Sequence, residues 1–159
     1  MGDKKKIIVF DLDGVLINSK KNMQLSLKLT NKELGLSISF KNYEKYIGLP
    51  FNIILENIGI KKNKKLIEKT YKNFSLKNLK QTCIEKNIKK VLKKLKKKYD
   101  LAVFTSKDKT RTLRILKKEK NLFNYIITPE DVDYGKPNPQ GLKIIKSTGK
   151  YEKKYDLHW

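Results

Sequence analysis

"IIVFDLDGVL", residues 7–16, decides how this chain is read. It opens as a short, β-branched, wholly apolar run within "KKKIIVF" (4–10), which predicts a strand buried on both faces of a sheet. The run then turns to Asp11 and Asp13, one residue apart, with Gly14 directly after them. Two carboxylates this close repel each other, so the pair belongs either to a solvated turn or beside something cationic.

Working outward, "LAVF" (101–104) and "YIIT" (125–128) are two further strand-like runs. Between them "KTRTLRILKKEKNL" carries Leu113, Ile115 and Leu116 as the apolar side of a helix. Strand, helix, strand at this spacing predicts a right-handed crossover and hence an α/β fold on a parallel sheet. Upstream, "NIKKVLKKLKKKY" (87–99) places Ile88, Val91, Leu92, Leu95 and Tyr99 on one helical face. Such a basic amphipathic helix could lie on a membrane, but directly before an apolar strand it is read as covering the sheet. "DYGKPNPQG" is a loop leading into a helix, with Asn138 as its cap, Pro139 at its first position and Gly149 at its end.

Residues 19–83 read differently. Ser19 is a candidate N-cap for a helix carrying Met23, Leu27 and Leu34, which Gly35 terminates. "SFKNYEKYIG", "LPFNIILENIGI" with Pro50 in its first turn, and "KKLIEKTYKNF" are three more helical stretches. No strand pattern intrudes, so 19–83 is expected to be a helical insert in a discontinuous α/β core made of 1–18 and 84–159.

At 159 residues the chain suits one compact domain with a small insertion. Its net charge of +22 is almost all lysine, the only arginines being Arg111 and Arg114. The lysines are spread along the chain among many Asn and Ile residues, so the charge implies non-specific attraction to polyanions and no specific nucleic-acid partner. No stretch is long and apolar enough to span a membrane, and no signal-peptide core follows the basic start. The single cysteine, Cys83, excludes an intramolecular disulfide and CxxC sites, and is expected to be a small buried apolar residue in a reducing, cytoplasmic protein.

In an open parallel sheet, ligands bind beyond the carboxyl ends of the strands. There the chain places Asp11 and Asp13 after the first strand, Thr105 and Ser106 after the second, and Lys136 shortly after the third. A Mg²⁺ ion would neutralise the aspartate pair and bridge it to a phosphate, whose other oxygens Thr105 and Lys136 would hold. An EF-hand is excluded, because Gly14 follows Asp13 directly where a third oxygen ligand is needed.

"DLDGVL", "VFTS" and "YGKPNP" resemble, in order, the first three motifs of the haloacid dehalogenase (HAD) superfamily. The layout is similar to its phosphoglycolate phosphatase and β-phosphoglucomutase branches, in which a helical cap follows the first motif. "YIGLPFNIILENIGI" resembles the Gly-Leu-Pro helix start of such caps. The resemblance implies a Rossmann-like core with 19–83 as the cap. It makes Asp11 the nucleophile that carries an aspartyl-phosphate, and Asp13 the acid and base, with its backbone carbonyl a metal ligand. Gly14 would allow the tight turn, while Thr105 and Lys136 stabilise the transferring phosphoryl group. Gly14 and Ser106 count with them as phosphate-site positions, Ser106 either contacting substrate or capping the next helix.

The expected function is a Mg²⁺-dependent phosphatase acting on a small phosphorylated metabolite. The alternatives are an inactive remnant or phosphate-binding pseudoenzyme, a phosphomutase, and a nucleic-acid 3′-phosphatase. The family's fourth motif would add acidic metal ligands after the next strand, yet the sequence runs only to "KKYDLHW" and no acid follows Asp156. Glu130 and Asp131 belong to the third-motif loop and are not recruited. A core incomplete at its C-terminal side is therefore expected, with the first strand's exposed edge inviting self-association. His158 reads as incidental and Trp159 as a packing residue.

Overall fold

The computed structural model describes residues 6–149 and Tyr151. Asp156, His158 and Trp159, and with them the reading of the fourth motif, lie outside the described residues. Three strands, β1 (Ile7–Phe10), β2 (Asp100–Phe104) and β3 (Tyr125–Ile127), form one parallel sheet in the order β1-β2-β3. Phe10 pairs with Val103 and Val103 with Ile126, so the three carboxyl ends finish at one rim.

Side-chain alternation explains the layers on either side. Leu101 and Val103 of β2, with Ile8, Phe10 and Ile126, join one apolar cluster with α5 (Lys86–Lys96) and α6 (Lys109–Leu116). Ala102 and Phe104, with Ile7, Val9 and Ile127, join another under α7 (Gln140–Gly149). Gly141 lets α7 approach closely, since a Cβ there would stand 2.6 Å from the Phe104 ring. Asn138 accepts a hydrogen bond from the Gln140 amide at the start of α7, the capping role its sequence position suggests.

Three burial expectations about the sheet and its covering helices need correction. β1 is only half-buried, because among the described residues it pairs on one side only, with β2. Val91 is 52% exposed, lying at the margin of the stripe that Ile88, Leu92, Leu95 and Tyr99 make on the core. Leu113 is 37% exposed, because the buried face of α6 runs through Arg111, Thr112, Ile115 and Leu116 at four-residue spacing.

Between β1 and α5 lie α1 (Lys20–Leu34), α2 (Phe40–Tyr43), α3 (Phe51–Asn57) and α4 (Lys64–Lys77). They share an apolar cluster of their own around Met23, Leu27, Tyr43, Ile54 and Tyr71. Gly35 ends α1 at φ +62°, a left-handed conformation that suits glycine. The face of α1 toward α4 also holds buried Asn22, Ser26 and Thr30, four residues apart. Ser26 and Thr30 return their hydroxyls to the carbonyls one turn back, at 2.7 and 2.8 Å, so these small side chains cost no unsatisfied donors. Asn22 reaches across to Ser75 of α4, donating to its carbonyl at 3.0 Å and accepting from its hydroxyl at 2.7 Å.

The chain enters and leaves this helical stretch at one place, where Ile17 and Ile84 form an antiparallel bridge. Thr82 and Ile84 point inward there and Cys83 outward, so Cys83 is exposed rather than buried. Among the described residues no helix is long and apolar enough to cross a membrane.

Candidate active site

The loop after β1 is a tight knot. Gly14, at φ +80°, donates its amide to the Ile17 carbonyl at 2.9 Å, and Ile17 donates to the Leu12 carbonyl at 3.1 Å. The positive φ requires glycine, as expected. Its N–H is spent inside the loop, however, so Gly14 shapes the site and offers no amide to a phosphate. The turn leaves the Asp11 and Asp13 side chains on one cavity, with Thr105 and Ser106 from the end of β2.

Asp11 Oδ1 accepts from the Leu12 amide at 2.8 Å and faces the Lys136 ammonium at 2.9 Å. Lys136 comes from the loop after β3, nearly buried, with its ammonium 5.1 Å from the centre of the Phe104 ring. Thr105 is buried; its hydroxyl accepts from the Lys107 amide at 3.1 Å, and its hydrogen has no acceptor among the described residues. The structure thus brings Asp11, Asp13, Thr105 and Lys136 together.

Ser106 lines the cavity but does not cap the next helix. It donates to the Gly48 carbonyl at 2.7 Å, tying the sheet rim to the loop before α3. The cap of α6 is instead Asp108, which accepts from the Arg111 amide at 3.0 Å. Glu130 and Asp131 are engaged by the Lys109 amide and ammonium respectively, away from Asp11.

Three functional neighbours were not singled out by the sequence. Ser19, the candidate helix cap, makes no capping bond and donates its hydroxyl to Asp13 Oδ1 at 2.5 Å. The Lys107 ammonium stands 3.2 Å from Asp13 Oδ2, so both oxygens of that carboxylate are held. Lys107 is only 7% exposed; burial depresses its pKa, with the Asp13 charge opposing the shift. Arg111, 6% exposed, pairs through Nε with Asp108, donates from Nη1 to Ser75 Oγ at 3.0 Å and lies over the Tyr71 ring. Burial works against the Asp108 carboxylate, yet Arg111 outweighs it and holds the pKa below the usual range. One signal was available for Arg111, one of two arginines in a chain that otherwise uses lysine; Lys107 had none.

The opposite wall comes from the helical stretch: Met23, Tyr43, Phe51, Ile54 and Tyr71. Tyr43 and Tyr71 hydroxyls meet at 3.3 Å, and burial raises both phenols, Tyr71 to about 12, so this wall is uncharged at neutral pH. The cavity between the two walls is small, about 40 Å³.

A divalent cation would need oxygen donors here, and two are open. Asp11 Oδ2 and the Asp13 carbonyl oxygen take no hydrogen bond among the described residues. This oxygen pair fits a hard cation such as Mg²⁺. No cluster of three or more acidic, histidine or cysteine side chains that could hold a metal occurs among the described residues.

A parallel sheet whose rim gathers an aspartate pair, a threonine and a lysine defines a class of hydrolase. The model of the haloacid dehalogenase-like hydrolase family matches residues 8–154, and the chain belongs to that family. It is 32% identical over 155 residues to the phosphoglycolate phosphatase of Aquifex aeolicus, covering 94% of this chain and 73% of that one. Among solved structures it is similar to a predicted phosphoglycolate phosphatase from Haemophilus somnus (TM-score 0.80, 22% identity, 95% of this chain and 74% of the other). It is also similar to a haloacid dehalogenase-like hydrolase from Streptococcus pneumoniae (TM-score 0.78, 20% identity, 93% and 71%). At these identities the structures speak for the fold.

Proposed function

We propose that the chain is a Mg²⁺-dependent phosphatase of small phosphorylated metabolites, phosphoglycolate being the first substrate to test because the Aquifex relative is named for it. The observation that carries this reading is the Asp11 carboxylate standing 2.9 Å from the Lys136 ammonium, on a cavity that Asp13 and Thr105 share. A carboxylate oxygen of Asp11 attacks phosphorus, and the ester P–O bond breaks as Asp13 gives its proton to the departing oxygen. Water, losing a proton to Asp13, then attacks the aspartyl-phosphate and releases inorganic phosphate, restoring Asp11. Thr105, with its free hydrogen, and Lys136 hold the phosphoryl oxygens as charge moves between them. Asp11 and the Asp13 carbonyl would hold the magnesium ion, which when bound neutralises charge between carboxylate and phosphate.

The helices of residues 19–83 act in this reading as a cap that closes the apolar wall over the rim, with the Ser106–Gly48 bond fastening it. The outer edge of β1 is where chains would associate, and the lone cysteine suits a cytoplasmic setting.

The test is hydrolysis of p-nitrophenyl phosphate and of a panel of small phosphate esters with Mg²⁺. It is joined to mass spectrometry of acid-quenched enzyme. Phosphate on the Asp11 peptide supports the reading; turnover with phosphate on a serine, or none on Asp11, refutes the mechanism.

A further inference from the structure

The outer face of α5 carries more positive charge than the described residues around it can balance. Six of its eleven residues are lysine and none is acidic, whereas α1 and α4 carry Glu33 and Glu68. Lys86, Lys90, Lys93 and Lys97, at successive spacings of four, three and four, make one exposed stripe opposite Ile88, Leu92 and Leu95. Like charges at these spacings repel, and lysines in a first turn also oppose the helix dipole. The 3₁₀ turn Lys117–Leu122 packs against α5 and adds exposed Lys117, Lys118 and Lys120. The acid of that turn, Glu119, is taken by Lys89 at 2.9 Å, with Lys93 close enough to act on it too. Among the described residues no carboxylate pairs with Lys86, Lys90 or Lys97.

Chemistry says what would balance the face. Neither α5 nor the turn has an arginine or an aromatic side chain, so neither offers a fixed fork for phosphate or a ring to stack on a base. Lysines on flexible stems ask only for a surface dense in negative charge. Val91, 52% exposed, stands one turn from exposed Lys94, an apolar group that a lipid headgroup layer accepts better than water does. The other side of α5 is spent on the core, so the helix can rest on a surface but cannot sink into it.

We propose that the face formed by α5 and the Lys117–Leu122 turn docks the protein on an anionic lipid bilayer, by charge and without insertion. None of these lysines lines the cavity, so docking leaves the site at the sheet rim open.

Vesicle co-sedimentation of the full chain at about 0.15 M salt tests this. Wild type should pellet with phosphatidylcholine vesicles containing about 30% phosphatidylserine and stay in solution with phosphatidylcholine alone. A quadruple variant, Lys86→Gln, Lys90→Gln, Lys93→Gln and Lys97→Gln, should bind the anionic vesicles about 10²–10³-fold more weakly, or about fivefold per lysine. A control variant, Lys28→Gln, Lys32→Gln, Lys65→Gln and Lys69→Gln, removes the same charge from exposed positions on α1 and α4. It should stay within about threefold of wild type, because charges beyond a Debye length from the bilayer are screened. Equal losses in the two variants would overturn the face and leave only the net charge of the chain. Wild type that ignores phosphatidylserine would overturn docking without any variant having to fold. Single-stranded RNA that strips wild type from the vesicles at equal phosphate concentration would overturn the choice of partner and give the face to nucleic acid.

Discussion

On the sheet side of the cavity, Asp11 and Thr105 follow directly on strands fixed by the ladder, and Lys136 reaches Asp11 from the loop after β3. On the helical side, Tyr43, Phe51 and Tyr71 project from three separate helices and meet ring to ring, with centroids 4.6 to 6.0 Å apart. One wall is charged and held by hydrogen bonds, while the other is neutral and held by packing. In the proposed reading this contrast is a division of labour: charge placed on the sheet layer does chemistry, and the aromatic wall sets what fits beside it.

The sharpest way to break the comparison is Asp11→Asn. Its turnover of p-nitrophenyl phosphate should fall by about 10⁴-fold or more, as for other lost nucleophiles. The melting temperature should hardly move, since the amide keeps the shape of the carboxylate. Residual activity near wild type would mean that the charged wall is not the reactive one.

Removing the metal comes next. Chelation by EDTA should stop hydrolysis and Mg²⁺ should restore it, while far-ultraviolet circular dichroism stays the same, because Asp11 and Asp13 lie in the loop after β1, outside the regular elements. Full activity in EDTA would contradict the oxygen pair offered by Asp11 and Asp13.

The join between the walls is tested by Asp108→Asn. This change removes the carboxylate charge that Arg111 holds below its usual pKa, while an amide oxygen remains to cap α6. We expect a loss of about 1–3 kcal/mol near neutral pH, from denaturant melts. A depressed carboxylate stabilises the fold fully above its unfolded pKa, and that contribution fades as pH falls through the folded value. The gap between variant and wild type should therefore shrink below about pH 4, the ordinary aspartate value. A gap that grows in acid would show that the pair does not stabilise the fold.

The smallest effect belongs to the aromatic wall. Tyr71→Phe removes one hydroxyl from a pair that is neutral at working pH, so kcat should change by less than about threefold. Any loss should appear in KM. A kcat collapse would put Tyr71 in the chemistry and end the division of labour.

Legibility followed the same line. Asp11 and Thr105 could be read because an apolar run followed by a polar residue fixes position through backbone geometry alone, whereas Lys136, several residues beyond its strand, emerged from the resemblance of "YGKPNP" to the family's third motif. Lys107 could not, being one lysine in a chain with 38 basic residues. Nor could the buried face of α1, because Asn22, Ser26 and Thr30 look like solvent-facing positions until α4 is laid against them. Ser19 read as a helix cap because serine before a helix usually is one, and only the fold of the Asp11–Ile17 loop brings it to Asp13. Exposure failed at the margins of stripes, as at Val91 and Leu113, where one residue's rotation about the helix axis decides the side.

The Ile17–Ile84 bridge has one more consequence. Because departure and return lie side by side, the chain of everything between them joins the sheet layer at one place, like a bag on two adjacent strings, with side-chain bonds such as Ser106–Gly48 and Arg111–Ser75 as its further ties. Closing the gap with a two- or three-residue turn would add little chain entropy, since loop-closure cost grows only with the logarithm of length. An evolving lineage, or a protein engineer, can therefore lengthen, shorten or exchange that bag without moving Asp11, Thr105 or Lys136. In the proposed reading, the parts that react stay constant while the parts that choose are replaceable.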